Sequence, residues 1–99
     1  KCKLLCCREI GEGSVNSAAI PVRRIVETAL ATNATSVVLA HNHPSGLALP
    51  SDDDVQTTLR VAKAMAAVEI TLADHIVVAD NDFVSLYQSG YYRPEDVEL

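Results

Sequence analysis

Two histidines and an aspartate stand at a spacing that suits a metal site. His41 and His43 follow the apolar run Val37–Ala40, and alternate residues of a strand project to the same side. Both imidazoles can therefore converge on one point where the strand ends. A catalytic tetrahedral site uses three protein ligands and keeps a position for water. Asp54 is the obvious third ligand, and two nitrogens with one carboxylate suit Zn²⁺ better than Ca²⁺ or Mg²⁺.

The same residues have simpler interpretations. Paired loop histidines are more often surface or hydrogen-bonded residues than ligands, so the histidine pair alone is weak evidence. Three aspartates after Ser51 suit the positive end of a helix dipole, and Ser51 with Asp54 three residues later resembles a capping box. We assign Asp52 and Asp53 to the helix start and Asp54 to the metal.

The elements that must position these residues alternate along the chain. Apolar spacing and turn residues predict strands, helices and turns in the order β-α-β-α-β-β, which indicates an α/β domain with a mixed sheet. The predicted strands are 3–10, 36–40, 70–79 and 83–84, with turns at 11–17 and 80–82. One helix runs from Pro21 to Thr32-Asn33 with an apolar stripe of Ile25, Val26, Ala29 and Leu30; the other runs from Ser51 to about Val68 with Val55, Leu59, Ala62, Met65 and Ala66. Ser85–Ser89 is expected to form a short helix stopped by Gly90, followed by a loosely held polar tail.

Composition bounds the class of protein. With 99 residues, 48% of them hydrophobic, one domain with a modest core is expected. The net charge of −5 and the lack of a basic run argue against direct nucleic-acid binding. Cys2, Cys6 and Cys7 form neither a disulfide framework nor a zinc ribbon, so we expect reduced thiols in a cytoplasmic protein. No stretch reads as a signal peptide or membrane span, and the chain begins inside a predicted strand, as an excised fragment would.

The metal-site spacing resembles a known motif. The pattern His41-x-His43, seven residues, Ser51, two residues, Asp54 is similar to the JAMM (MPN+) metalloprotease motif. "GSVNS", Arg23, "ALATNATSVVLAHNHPSG", "PSDDD", "LADHIVV" and "VSLYQSG" follow in an order that resembles the bacterial RadC family. The resemblance implies a single JAMM/MPN-like (cytidine-deaminase-like) domain over residues 1–99, with a curved mixed β-sheet flanked by helices. It also implies one Zn²⁺ held by His41, His43 and Asp54.

The resemblance further implies catalytic residues. The family's glutamate lies shortly before a "GTxNS"-like turn, which assigns Glu9 as the base; Glu12, inside the turn, is the competitor. Zn²⁺ lowers the pKa of its water to roughly 7, and Glu9 would take the proton and pass it to the leaving amine. Ser51 could donate a hydrogen bond to the oxyanion or be only the helix cap. Asp74-His75 resembles a "DH" pair of the family. One interpretation is a strand pair in which one residue points inward and is hydrogen-bonded; the other is a contact with the zinc ligands from outside the coordination sphere.

Three functions follow from these residues. The first is a zinc metallopeptidase acting on a peptide or isopeptide substrate, with pairing to a second copy as a further expectation. The alternative is a non-enzymatic module associated with DNA repair, as the family name suggests, with a structural or vestigial metal. A metal-dependent nuclease ranks last, because the site has too few carboxylates for a two-metal centre. "HNH" at 41–43 is not the spread signature of HNH nucleases, and the chain lacks the H-x-E and P-C-x-x-C of zinc deaminases.

Overall fold

The described part of the chain is a small α/β unit. The computed structural model describes residues 22–42 and 48–97. In chain order these residues form α1 (Val22–Ala31), β1 (Ser36–Asn42), α2 (Asp52–Ala67), β2 (Thr71–Ala79), β3 (Asp82–Ser85) and a 3₁₀ turn (Pro94–Asp96). The order β-α-β-β for β1 to β3 confirms the predicted class. The predicted strand 3–10 and turn 11–17 lie outside the described residues.

The strands form a mixed three-stranded sheet in the order β1-β2-β3 within the described residues. β1 and β2 are parallel, and α2 supplies the crossover that parallel neighbours require. β2 and β3 are antiparallel and joined by Asp80-Asn81, where Asp80 has a positive φ of 45°. The parallel pair places the end of β1 near the start of α2, which is where the predicted metal ligands lie.

An irregularity in the β1–β2 pairing decides which side chains of β2 face inward. Val37 pairs with Leu72, but Val38 pairs with Asp74, so Ala73 is an extra residue in β2. Such a bulge shifts the alternation of side chains by one position. Leu72 and His75, three residues apart, are therefore both buried.

The core lies between α2 and the sheet, with α1 packed against α2. It comprises Ile25 and Ala29 of α1, Val61, Ala62 and Met65 of α2, Leu72 and Val77 of β2, and Ile70, Leu86 and Tyr92 from the connections. The predicted stripes are correct for Ile25, Ala29, Ala62 and Met65. They are wrong for Leu30, which is exposed, and for Leu59, because α2 is rotated so that Thr57 and Thr58 are buried instead.

Two predictions for the C-terminal segment are wrong. Residues 86–90 form hydrogen-bonded turns rather than a helix, since β3 continues through Ser85 and anchors that residue in the sheet. Gly90, with φ of 84°, ends these turns, as a residue in the left-handed region can. The part of the expected loose tail that the structure describes, residues 91–97, is held instead, because Tyr92 is buried and donates its hydroxyl to the carbonyl of Leu72 at 2.5 Å.

Neither helix of the described ranges has the length and apolar character that crossing a bilayer demands.

Candidate metal centre

His41 and Asp54 meet between the end of β1 and the first turn of α2. The Nε2 atom of His41 lies 3.5 Å from Oδ1 of Asp54. The Asp54 side chain is 2% exposed and the His41 side chain 23% exposed, so the pair sits at the boundary between core and solvent. A buried carboxylate facing an accessible imidazole is a donor set that suits a zinc ion.

The start of α2 explains why Asp54 is buried and fixed while its neighbours are not. Oδ2 of Asp54 accepts the backbone N–H of Ser51 at 2.8 Å, and Oγ of Ser51 accepts the backbone N–H of Asp54 at 3.1 Å. This is the predicted capping box, and it occupies one carboxylate oxygen while the other faces His41. Asp52 and Asp53 are exposed in the same first turn, as expected for helix-start charges.

A second histidine supports His41 from inside the protein. Nδ1 of His41 lies 2.9 Å from Nε2 of His75, and Nδ1 of His75 lies 2.6 Å from Oγ1 of Thr58. Thr58 also donates its hydroxyl to the backbone carbonyl of Asp54 at 2.6 Å. The chain of contacts thus leads from His41 through His75 and Thr58 back to Asp54.

His75 is neutral at physiological pH. Burial is the main cause that lowers its pKa from 6.5 to about 4; the nearby His41 also lowers this pKa, while Asp54 and Asp74 act in the opposite direction. A neutral imidazole has one N–H donor and one nitrogen acceptor. His75 can therefore donate to one of its neighbours and accept from the other.

Asp74 ties the strand that carries His75 to the following turn. Its Oδ1 accepts the backbone N–H groups of His75 at 2.7 Å and of Tyr87 at 2.9 Å. Its Oδ2 accepts the hydroxyl of Ser85 at 2.5 Å, and Oγ of Ser85 accepts the N–H of Gln88 at 3.0 Å. Asp74 is therefore a structural clasp between β2 and the turns after β3, while His75 is the member of the pair that reaches the site.

The chain is similar in sequence to known proteins over most of its length. A family model described as RadC-like JAB domain matches residues 1–91. The chain belongs to this family. It is 43% identical over 89 residues to a UPF0758 protein of Cellvibrio japonicus, covering 90% of this chain and 40% of that protein. It is 45% identical over 80 residues to a UPF0758 protein of Photobacterium profundum, an alignment that covers 81% of this chain and 36% of that protein. It is 39% identical over 85 residues to a UPF0758 protein of Staphylococcus aureus, with 86% of this chain and 39% of that protein covered.

The RadC-like JAB domain here spans about two fifths of the length of such relatives, as the 40% share of the Cellvibrio protein shows. The names of these relatives state no activity. The membership establishes the expected family and the JAMM-type fold.

The predicted site residues divide into two groups. The structure brings together His41, Asp54 and Ser51, while His43 and the expected base Glu9 lie outside the described residues. Within residues 22–42 and 48–97, no group of three or more His, Cys, Asp or Glu side chains is placed to hold a metal ion. Of the three predicted ligands, His41 and Asp54 are therefore among the described residues.

Thr58 is the site residue that sequence reasoning missed. It lies four residues after Asp54 on α2, so both side chains occupy one face of the helix. A threonine at that spacing from a proposed ligand is a usable signal, because its hydroxyl can reach the ligand's own carbonyl. The predicted apolar stripe placed Leu59 in the buried face, where the structure has Thr58.

Proposed function

We propose that this domain is a zinc-dependent hydrolase of amide or isopeptide bonds. His41, His43 and Asp54 are the proposed ligands, Glu9 the proposed base and Ser51 a donor to the oxyanion. Membership of the RadC-like JAB family supports a site of the JAMM type. Domains of this type generally bind zinc.

The separation of His41 and Asp54 carries the proposal. Zn–N and Zn–O distances of about 2.0–2.2 Å with tetrahedral angles put two ligand atoms about 3.4 Å apart. Nε2 of His41 and Oδ1 of Asp54 are 3.5 Å apart. A direct charge-assisted hydrogen bond between them would be shorter, about 2.7–2.9 Å. The spacing therefore fits two ligands of one small ion better than a direct hydrogen bond between the two side chains.

Zinc bound there would polarise a substrate carbonyl and make a water molecule acidic enough to attack at neutral pH. The chain's own residues supply the rest. Asp54 is held rigid by the cap and by burial, so its position costs little reorganisation. Glu9 would hold the proton of the attacking water and deliver it to the leaving amine. Ser51 is exposed and accepts from Asp54 N–H, which leaves its hydroxyl proton available for donation.

The test combines metal analysis with a cleavage assay. We expect the purified chain to bind about one zinc per molecule and to cleave isopeptide-linked or peptide substrates in a panel. Glu9→Gln should retain zinc and lose cleavage, because it removes only the proton carrier. Well under one transition metal per chain at neutral pH without chelator would contradict the proposal, and full activity of Glu9→Gln would contradict the assignment of the base.

A further inference from the structure

We propose that Thr58 and His75 are positioning residues that fix the proton of His41 on Nδ1 and direct its Nε2 lone pair toward Asp54. The inference rests on the proposed zinc function for its purpose, but the proton arrangement is a property of the protein itself. The hydrogen-bond geometry of three side chains and one carbonyl carries it.

The arrangement begins at a group that can only accept. The backbone carbonyl of Asp54 has no proton, so the hydroxyl proton of Thr58 must lie in the 2.6 Å contact between them. Oγ1 of Thr58 then has only lone pairs to offer in its other 2.6 Å contact, with Nδ1 of His75. That contact is a hydrogen bond only when Nδ1 of His75 carries the proton.

The order continues to the ligand. With its proton on Nδ1, neutral His75 presents the lone pair of Nε2 to His41. Nδ1 of His41, 2.9 Å away, must donate to it. The proton of neutral His41 is thereby placed on Nδ1, and its lone pair falls on Nε2, the atom that faces Oδ1 of Asp54. This series of hydrogen bonds begins at the carbonyl of Asp54 and ends at Nε2 of His41, which faces the Asp54 carboxylate. Thr58 on α2 is therefore linked to both proposed ligands, Asp54 and His41.

Burial makes this order rigid. Thr58 is fully buried and His75 is 1% exposed, so water does not compete for their hydrogen bonds. The three residues lie on α2, β2 and β1 in turn, and the inward position of His75 depends on the bulge at Ala73. Metal-bound histidines usually donate their other nitrogen to a carboxylate, a backbone carbonyl or water; here a second histidine takes that place.

The primary experiment reads the protons without any metal. Two-bond ¹H–¹⁵N correlation spectra of the metal-free 99-residue chain at pH 8 distinguish Nδ1–H from Nε2–H in each imidazole. We expect Nδ1–H for both His41 and His75 in the wild type. In Thr58→Val, which keeps the side-chain shape but removes the hydroxyl, we expect His41 to shift toward a mixture of the two forms.

Thr32→Val is the matched control. Thr32 directly follows α1, and like Thr58 it donates its hydroxyl to a carbonyl four residues earlier, that of Thr28, at 3.0 Å. Its substitution should leave both tautomers unchanged. Nε2–H at His41 in the wild type, or equal spectra for Thr58→Val and Thr32→Val, would overturn the proposal.

Zinc affinity, measured by competition with a chromophoric chelator, adds the second readout. We expect Thr58→Val and His75→Leu to bind zinc about 10–100-fold more weakly than the wild type, the range found for outer partners of metal ligands. His75→Gln should recover much of the affinity, because its amide oxygen can accept from His41. Wild-type protein that shows the expected tautomers but binds no zinc would support the positioning and refute the zinc function. Unchanged affinity in Thr58→Val would refute the positioning alone.

Discussion

Nε2 of His41 and Oδ1 of Asp54 lie 3.5 Å apart although the residues belong to different elements, one ending a strand and the other starting a helix. The parallel β1–β2 pair requires a crossover, and α2 begins that crossover directly beside the end of β1. The capping box then fixes Asp54 with one oxygen toward its own helix start. The fold's topology and a local cap together bring the two residues into contact.

Asp54→Asn and Asp53→Asn form a matched pair that tests this contact. Both remove one negative charge from the first turn of α2, but only Asp54 is buried and faces His41. We expect zinc affinity to fall more than about 100-fold in Asp54→Asn, beyond the effect of changing an outer partner, and to change little in Asp53→Asn. His41→Ala and His43→Ala should lose zinc as well. An equal loss of zinc affinity in the two asparagine variants would assign the effect to charge rather than to ligation, and wild-type affinity in Asp54→Asn would exclude Asp54 as a ligand.

The sequence predicted the fold class, the strand and helix order and the capping box because these depend on local patterns. Period-two and helical spacing indicate β1, α2 and β2, and the Ser51–Asp54 spacing indicates the cap. The inward position of His75 could not be read in the same way. Regular alternation from Leu72 would bury Asp74 and expose His75, and the bulge that reverses this depends on pairing with β1.

The C-terminal errors have a similar cause. The segment after β3 has a polar composition, which is typical of a loose end. The segment is held against β2 by long-range hydrogen bonds of single residues: Asp74 with Ser85 and Tyr87, and Tyr92 with Leu72. No local pattern encodes partners that lie more than ten residues away. The rotation of α2 that buries Thr58 in place of Leu59 likewise depends on packing against the sheet.

Acid should destabilise the metal-free protein through His75. The unfolded ring gains a proton below about pH 6.5, whereas the folded ring resists until about pH 4. Over this interval the unfolded state binds more protons, so stability is full above pH 6.5 and falls as the pH decreases. We expect His75 to account for about 2 to 3 kcal/mol lost between pH 7.5 and 4.5. Urea unfolding with chelator present should show this loss in the wild type and a much smaller loss in His75→Gln.

Asp74→Ala should destabilise the fold without the direct loss of a ligand. The substitution leaves the N–H groups of His75 and Tyr87 and the hydroxyl of Ser85 without their acceptor. We expect the free energy of unfolding to fall by about 2 to 3 kcal/mol. Asp82→Ala is the control, since Asp82 is exposed and accepts only from the neighbouring Phe83 N–H among the bonds seen; its cost should be below about 0.5 kcal/mol. Similar denaturant midpoints for both variants would contradict the clasp.

Tyr92 should make stability sensitive to alkali. Burial, with Asp74 and Glu95 nearby, raises the pKa of its phenol from 10 to about 12. The unfolded phenol ionises first, so its contribution is full below pH 10 and is lost as the pH rises toward 12. Tyr92→Phe should cost about 1 kcal/mol at pH 7 through the lost bond to Leu72, and should flatten the decline between pH 9 and 11. Tyr91→Phe, at a half-exposed position, should change neither. A decline that is equally steep in Tyr92→Phe would assign the effect to another group.

Ser51 offers a test that separates its structural and catalytic roles. Its hydroxyl caps α2 by accepting from Asp54 N–H, so Ser51→Ala should lower stability by about 1 kcal/mol. If the hydroxyl also donates to the oxyanion, Ser51→Ala should lower kcat by about 10²–10³. Ser51→Gly removes the same donor while sacrificing only a few tenths of a kcal/mol of capping, and Ser51→Thr keeps both functions. We therefore expect kcat to fall in Ala and Gly alike and to persist in Thr, while stability falls chiefly in Ala. Cleavage rates that follow stability rather than the presence of the hydroxyl would reduce Ser51 to a helix cap.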